Sequence, residues 1–194
     1  MKNSESEVCT TMNKSEKIEI LGVELEWKLT GAETGNKYCV LLATLPPGVV
    51  VPPHRHPDQE AFLILEGAPE FVTQTPHGLE WCFATPGETI NVPSMATHGF
   101  RNPTDSDVKM LITGTASLGH FFEEAGLPFQ HQSPYRASVP SHEQIERVME
   151  IATRFGHVYI DEKPGRCSAS PRNHALARLV THPALSNLNR AYLF

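Results

Sequence analysis

Residues 48–67 read GVVVPPHRHPDQEAFLILEG, and residues 87–102 read GETINVPSMATHGFRN. In the first stretch His54 and His56 are two apart, so on an extended strand both imidazoles point to the same face. Glu60 follows after a Pro57-Asp58 corner, and the next strand can bring its carboxylate back towards them. Two imidazoles and a carboxylate converging on one point are what a divalent transition metal needs. The second stretch offers His98 on another strand-like element. A single strand histidine is usually structural. The alternative to a metal centre is therefore a barrel that keeps these side chains and binds no ion. Their spacing, His-x-His-x3-Glu with a distant His, favours the metal.

Strand signals surround these stretches. Val23, Leu25, Trp27 and Leu29 alternate with Glu24, Glu26 and Lys28, a period of two with one buried face. A turn at TGAETGN leads into the near-continuous apolar run Tyr38 to Leu45. Ala61 to Leu65 is a further short run, closed by Glu66-Gly67. Leu79, Trp81 and Phe83 alternate with Glu80 and Cys82, and Val108, Met110 and Ile112 alternate with Lys109 and Leu111. Short strands about ten residues apart, punctuated by Gly and Pro, predict an all-β sandwich or barrel.

The pattern changes after residue 117. Ser141 and Gln144 form a capping box. Ile145, Val148, Met149 and Ala152 then recur at helical spacing, with Phe155 extending the stripe and Gly156 ending it. This helix has one face to bury, most simply against the outside of the barrel. A helical turn is expected within His120–Gly126. The expected division is a disordered segment over 1–16, a barrel over 17–117, a helical extension packed on it over 118–162, and a tail over 163–194. The tail lacks periodicity, and nothing in it points to the core.

The chain has 194 residues, with 16 Lys plus Arg against 22 Asp plus Glu, a net charge of -6. That length buries a core without disulfides. The acidic balance argues against a phosphate-binding nucleic-acid surface, and no apolar run is long enough to span a bilayer. With no apolar signal segment at the start, a cytoplasmic location is expected. Cys9, Cys39, Cys82 and Cys167 are scattered, and they read as reduced, isolated small apolar residues.

The two stretches resemble the two motifs of the cupin family, G-x5-H-x-H-x3-E-x6-G and G-x5-P-x-G-x2-H-x3-N. Gly48, His54, His56, Glu60 and Gly67 stand at all the fixed positions of the first. Gly87, Pro93, His98 and Asn102 match the second, and Met95 replaces its glycine, where left-handed dihedrals suit glycine best. The likeness covers roughly residues 17–117. The added helices make the chain similar to the quercetin-dioxygenase-like small bacterial cupins.

The resemblance implies a single jelly-roll β-barrel with C-terminal helical additions and one divalent transition metal at its centre. The ion would be Fe, Mn, Ni, Cu, Co or Zn, and His54, His56, Glu60 and His98 would be its ligands. It further implies an oxidoreductase of dioxygenase type acting on a small chelating molecule, a flavonol, diketone or enol, with Glu60 doubling as the catalytic proton acceptor. Phe62, Met95 and Phe100 are candidate pocket liners, although core packing is the favoured explanation of the aromatic rings. A redox-neutral isomerase, decarboxylase or lyase remains open, as does a non-catalytic ligand-binding cupin. The expected partners are a small-molecule substrate and a second copy in a homodimer, with no nucleic acid and no membrane.

Overall fold

A computed structural model describes residues 16–129 and 140–167. The expectations for residues 1–15 and for the tail from 168 onward lie outside the described residues. The strands are β1 (Lys17–Ile20), β2 (Val23–Leu29), β3 (Tyr38–Leu45), β4 (Val50–Arg55), β5 (Glu60–Glu66), β6 (Glu70–Thr75), β7 (Gly78–Phe83), β8 (Thr89–Val92), β9 (His98–Arg101) and β10 (Val108–Thr115). Helix α1 (Ala116–Ala125), the two-residue strand β11 (Leu127–Pro128), helix α2 (His142–Arg154) and the short strands β12 (Val158–Tyr159) and β13 (Gly165–Arg166) follow.

These strands form two sheets, ordered β11-β1-β2-β3-β10-β5-β8 and β12-β4-β9-β6-β7-β13. Neighbours are antiparallel except β13, which runs parallel to β7. The alternation in β2 and β3 buries Val23, Leu25, Trp27, Cys39, Leu41, Ala43 and Leu45 in a core shared with Phe62, Ile64, Phe71, Phe100, Met110 and Ile112. Two sheets closed over one apolar core make the jelly-roll barrel with helices added after it.

Some backbone positions are demanding. Gly67 has φ +84°, and a Cβ there would stand 2.8 Å from Val108 Cγ2, so the turn ending the first motif needs glycine twice over. Asn102, 1% exposed, donates through Nδ2 to Leu45 O and Ser106 O, both at 2.8 Å. Its Oδ1 accepts from the Thr104 N–H at 3.0 Å and the Thr104 hydroxyl at 2.7 Å. The last motif residue is thus a structural tie that satisfies a buried turn.

The helices depart from expectation in two ways. Instead of a turn within His120–Gly126, α1 covers Ala116–Ala125, with the Thr115 hydroxyl capping Leu118 N–H at 3.2 Å. In α2 the capping box of Ser141 and Gln144 is present, and Val148, Ile151 and Ala152 are buried. Ile151 and Ala152 pack with Leu118, Phe121 and Ala125 of α1. The stripe of α2 therefore meets α1 and the barrel mouth rather than the outer wall. Past residue 162 the ordered body continues, because β13 adds to β7 and Cys167 N–H donates to Trp81 O. No helix among the described residues is long and apolar enough to cross a membrane.

Candidate metal centre

His54 lies at the end of β4, His98 opens β9, and the two are directly paired in the antiparallel register. Gly99 makes this close approach feasible, because a Cβ there would stand 2.9 Å from Val51 O and 3.0 Å from Pro52 O. His56 follows β4 at the corner, and Glu60 begins β5 beyond it. Asp58 anchors that corner: its Oδ1 accepts from the Thr115 hydroxyl at 2.5 Å, tying the corner to the start of α1.

The three rings converge. Centroids lie 4.1 Å apart for His54 and His98, 4.7 Å for His56 and His98, and 5.6 Å for His54 and His56. Each Nδ1 faces a backbone carbonyl: Pro52 O at 2.8 Å from His54, Asp58 O at 3.1 Å from His56, and Ala96 O at 3.0 Å from His98. A carbonyl can only accept, so each Nδ1 carries the proton and each Nε2 is left with its lone pair. One potential ligand atom from each histidine lies within 4.8 Å of the other two.

Glu60 Oε2 sits 3.7 Å from His56 Nε2 and 3.4 Å from His98 Nε2. His98 Nε2 is buried and makes no hydrogen bond. Three lone pairs aimed at one another, with one atom orphaned, are costly unless an electrophile takes them. Backbone-held Nδ1–H groups are the support that metal-bound imidazoles use. The residues fit a divalent transition ion.

Electrostatics agree. Burial, reinforced by His98, lowers the His54 pKa to about 3, so the imidazole is neutral and ready to ligate. Burial alone raises the Glu60 pKa, while a proton on the facing Nε2 of His56 or His98 lowers it to about 2. With both Nε2 lone pairs free for ligation, a divalent cation held between them would supply that positive charge instead. The carboxylate is therefore an anion in a buried site.

The site opens into a cavity of about 670 Å³ at the barrel mouth, roofed by α2 and the segment after it. His54, His56 and Glu60 lie in its wall together with Phe100, Phe121, Ile145 and Met149. Of the aromatic candidates, Phe100 lines this space. Phe62 does not; it is fully buried and packs on Phe71 and Phe100 at 5.2 and 5.3 Å between centroids. Met95 is 46% exposed and outside the cavity wall. It holds φ +62° at the position where the motif has glycine.

Two cavity residues were missed in the sequence. His157 is buried, with its ring 4.7 Å from His56 and 4.4 Å from Phe121, and its Nε2 has no hydrogen-bond partner. Burial, then the neighbouring His56, lowers its pKa to about 4. Tyr159 pairs with His54 across β12 and β4. The alternation of His157 and Tyr159 after the helix-ending Gly156 is the only local signal of either, and it is faint.

Among curated proteins none matches this chain. Among solved structures, the DMSP lyase DddQ from Ruegeria pomeroyi aligns at 26% identity over 41% of this chain and 39% of that one, with a TM-score of 0.36. A sugar phosphate isomerase of the cupin superfamily from Silicibacter pomeroyi aligns at 27% identity over 48% of this chain and 59% of that one, with a TM-score of 0.41. The polyketide cyclase RemF from Streptomyces resistomycificus aligns at 18% identity over 76% of this chain and 99% of that one, with a TM-score of 0.49. The chain thus spans less than two thirds of the length of the first two. The barrel is a jelly roll, and residues 41–114, the stretch that carries His54, His56, Glu60 and His98, match the family model described as the cupin domain.

Proposed function

We propose that this chain is a metal-dependent enzyme that acts on a small chelating substrate of the enol, diketone or flavonol type. The observation that carries the reading is the set of inward-facing Nε2 atoms beside an ionised Glu60, opening onto one large and mostly apolar cavity. A divalent ion held there by His54, His56, His98 and Glu60 would supply Lewis acidity towards a chelated oxygen. A cavity of this size accepts a molecule of one or two rings. Phe100, Phe121 and Met149 would hold its apolar part and exclude water, while its oxygens face the imidazoles.

Glu60 holds its proton only at low pH, so its first role is that of an anionic ligand. As a base it accepts a proton only from a donor already strongly acidified, which an enol or 1,3-diketone can be and an ordinary alcohol cannot. We favour oxygen-dependent cleavage. Redox-neutral proton transfer is the second reading, supported by His157, whose unpartnered Nε2 in the cavity wall is a proton carrier that oxygen chemistry does not require.

The test is turnover of flavonols, 1,3-diketones and enols by protein reconstituted with each metal, in air and without oxygen. Oxygen-dependent product formation supports the first reading, and equal turnover without oxygen moves the assignment to the second. No product with any substrate under either condition, alongside tight ligand binding, would leave a binding cupin instead.

A further inference from the structure

Away from the barrel mouth, the fold gathers a second set of metal-type donors from residues that look unrelated in sequence. Glu80 and Cys82 alternate on β7, so their side chains share one face. Strand β13 lies parallel beside β7, with Gly165 opposite Glu80 and Arg166 opposite Trp81. The Cys167 N–H donates to Trp81 O at 3.2 Å, which sets Cys167 next to Cys82. A carboxylate oxygen of Glu80 and the two sulfurs all lie within 4.8 Å of one another.

Glu80 supplies an independent observation. It is 7% exposed, yet no hydrogen bond or ion pair among the described residues holds its carboxylate. Its carboxylate is therefore uncommitted and stands within ligand distance of the two sulfurs. Both cysteines carry free thiols and are half-buried, so the site is reachable from solvent.

We propose that Glu80, Cys82 and Cys167 form a second metal site, separate from the His54–His56–His98 centre, that binds a thiolate-seeking divalent cation and pins β13 onto β7. Two sulfurs and one carboxylate suit Zn²⁺, which tolerates mixed sulfur and oxygen ligands. Without metal, burial and then the adjacent Cys167 push the Cys82 thiol up to about 11, so this sulfur keeps its proton. Metal entry breaks the S–H bond of each ligating cysteine, forms a metal–sulfur bond and releases that proton to the buffer, with no change in oxidation state.

The experiment uses the full chain, stripped with a chelator under reducing conditions and reloaded with Co²⁺ or Zn²⁺. Cobalt bound by thiolate gives a sulfur-to-metal charge-transfer absorption that an imidazole and carboxylate centre cannot produce. That absorption is expected in the wild type, in His54→Ala and in His98→Ala, and it disappears in Cys82→Ser and Cys167→Ser. Glu80→Gln weakens cobalt affinity roughly tenfold or more, as loss of a metal-site group does. In the His98→Ala background Zn²⁺ raises the melting temperature, and adding Cys167→Ser abolishes that rise. Cys167 lies at a half-exposed sheet edge, so its serine variant separates ligation from folding. Absence of the absorption in the wild type, or its survival in both cysteine variants, overturns the site. So does a Cys82–Cys167 disulfide that persists in glutathione buffer, because it consumes both ligating sulfurs.

Discussion

In the metal-free protein, acidification from pH 7 to pH 5 costs stability because of His54, and His54→Gln removes that cost. The unfolded imidazole titrates near 6.5, while the buried one waits until about 3. Below 6.5 the unfolded chain therefore binds a proton that the native chain refuses, so stability falls with pH until about 3 and then levels off. Integrating between these two values, the native state loses about 2 kcal/mol more at pH 5 than at pH 7 through this one group. For a domain of this size that is about 4–8 °C in Tm. Glu60, lowered from 4.5 to about 2, contributes stability above 4.5 that is lost only below that value, outside this window. His157 acts in the same direction as His54 but is common to both proteins and cancels in the comparison. The assay is urea unfolding of chelator-treated wild type and His54→Gln at pH 7 and pH 5. A wild type that loses about 2 kcal/mol more than the variant supports the argument. Equal losses would show that His54 is not held neutral by burial, and would remove one reason for reading it as a ready ligand.

Other substitutions test the scaffold around the site. Met95→Gly relieves a left-handed backbone that costs a non-glycine residue about 1 kcal/mol or more, offset in part by the greater freedom of unfolded glycine. Because Met95 is largely exposed, a net rise of about 0.5 kcal/mol in denaturant unfolding is expected. Asn102→Ala leaves Leu45 O and Ser106 O without their donor in a buried turn, and should lower unfolding stability by about 2 kcal/mol or more. Thr115→Val removes both the cap on α1 and the donor to Asp58 that braces the corner carrying His56. It should cost about 1–2 kcal/mol and weaken metal affinity roughly tenfold in a competition titration.

The barrel and its candidate ligands were legible because their signals are local. Period-two alternation marked β2, β7 and β10, a near-continuous apolar run marked β3, and the spacing of His54, His56 and Glu60 carries its geometry in the chain itself. His98 was legible only through its motif, since its pairing with His54 is a long-range register. What stayed hidden depends on tertiary placement. His157 and Tyr159 reach the cavity only because α2 packs on α1 and returns the chain to the edge of β4. Cys82 and Cys167 read as isolated because parallel pairing of β13 with β7 has no nearest-neighbour signature. Phe62 and Phe100 look alike in sequence, yet one is sealed in the core and the other faces the cavity. Met95 shows the reverse case: its replacement of the motif glycine put the turn before His98 in question, yet the backbone keeps a left-handed φ of +62° with methionine in place.

Elemental analysis of the protein, loaded with a single metal and freed of excess, tests the histidine centre most directly. Run in a Cys167→Ser background, it counts the barrel site alone. One equivalent is expected in that background, falling towards zero in both His54→Ala and His98→Ala, with the far-ultraviolet circular dichroism of the barrel retained. Unchanged metal content in both histidine variants would contradict the assignment of His54, His56, Glu60 and His98 as a metal centre.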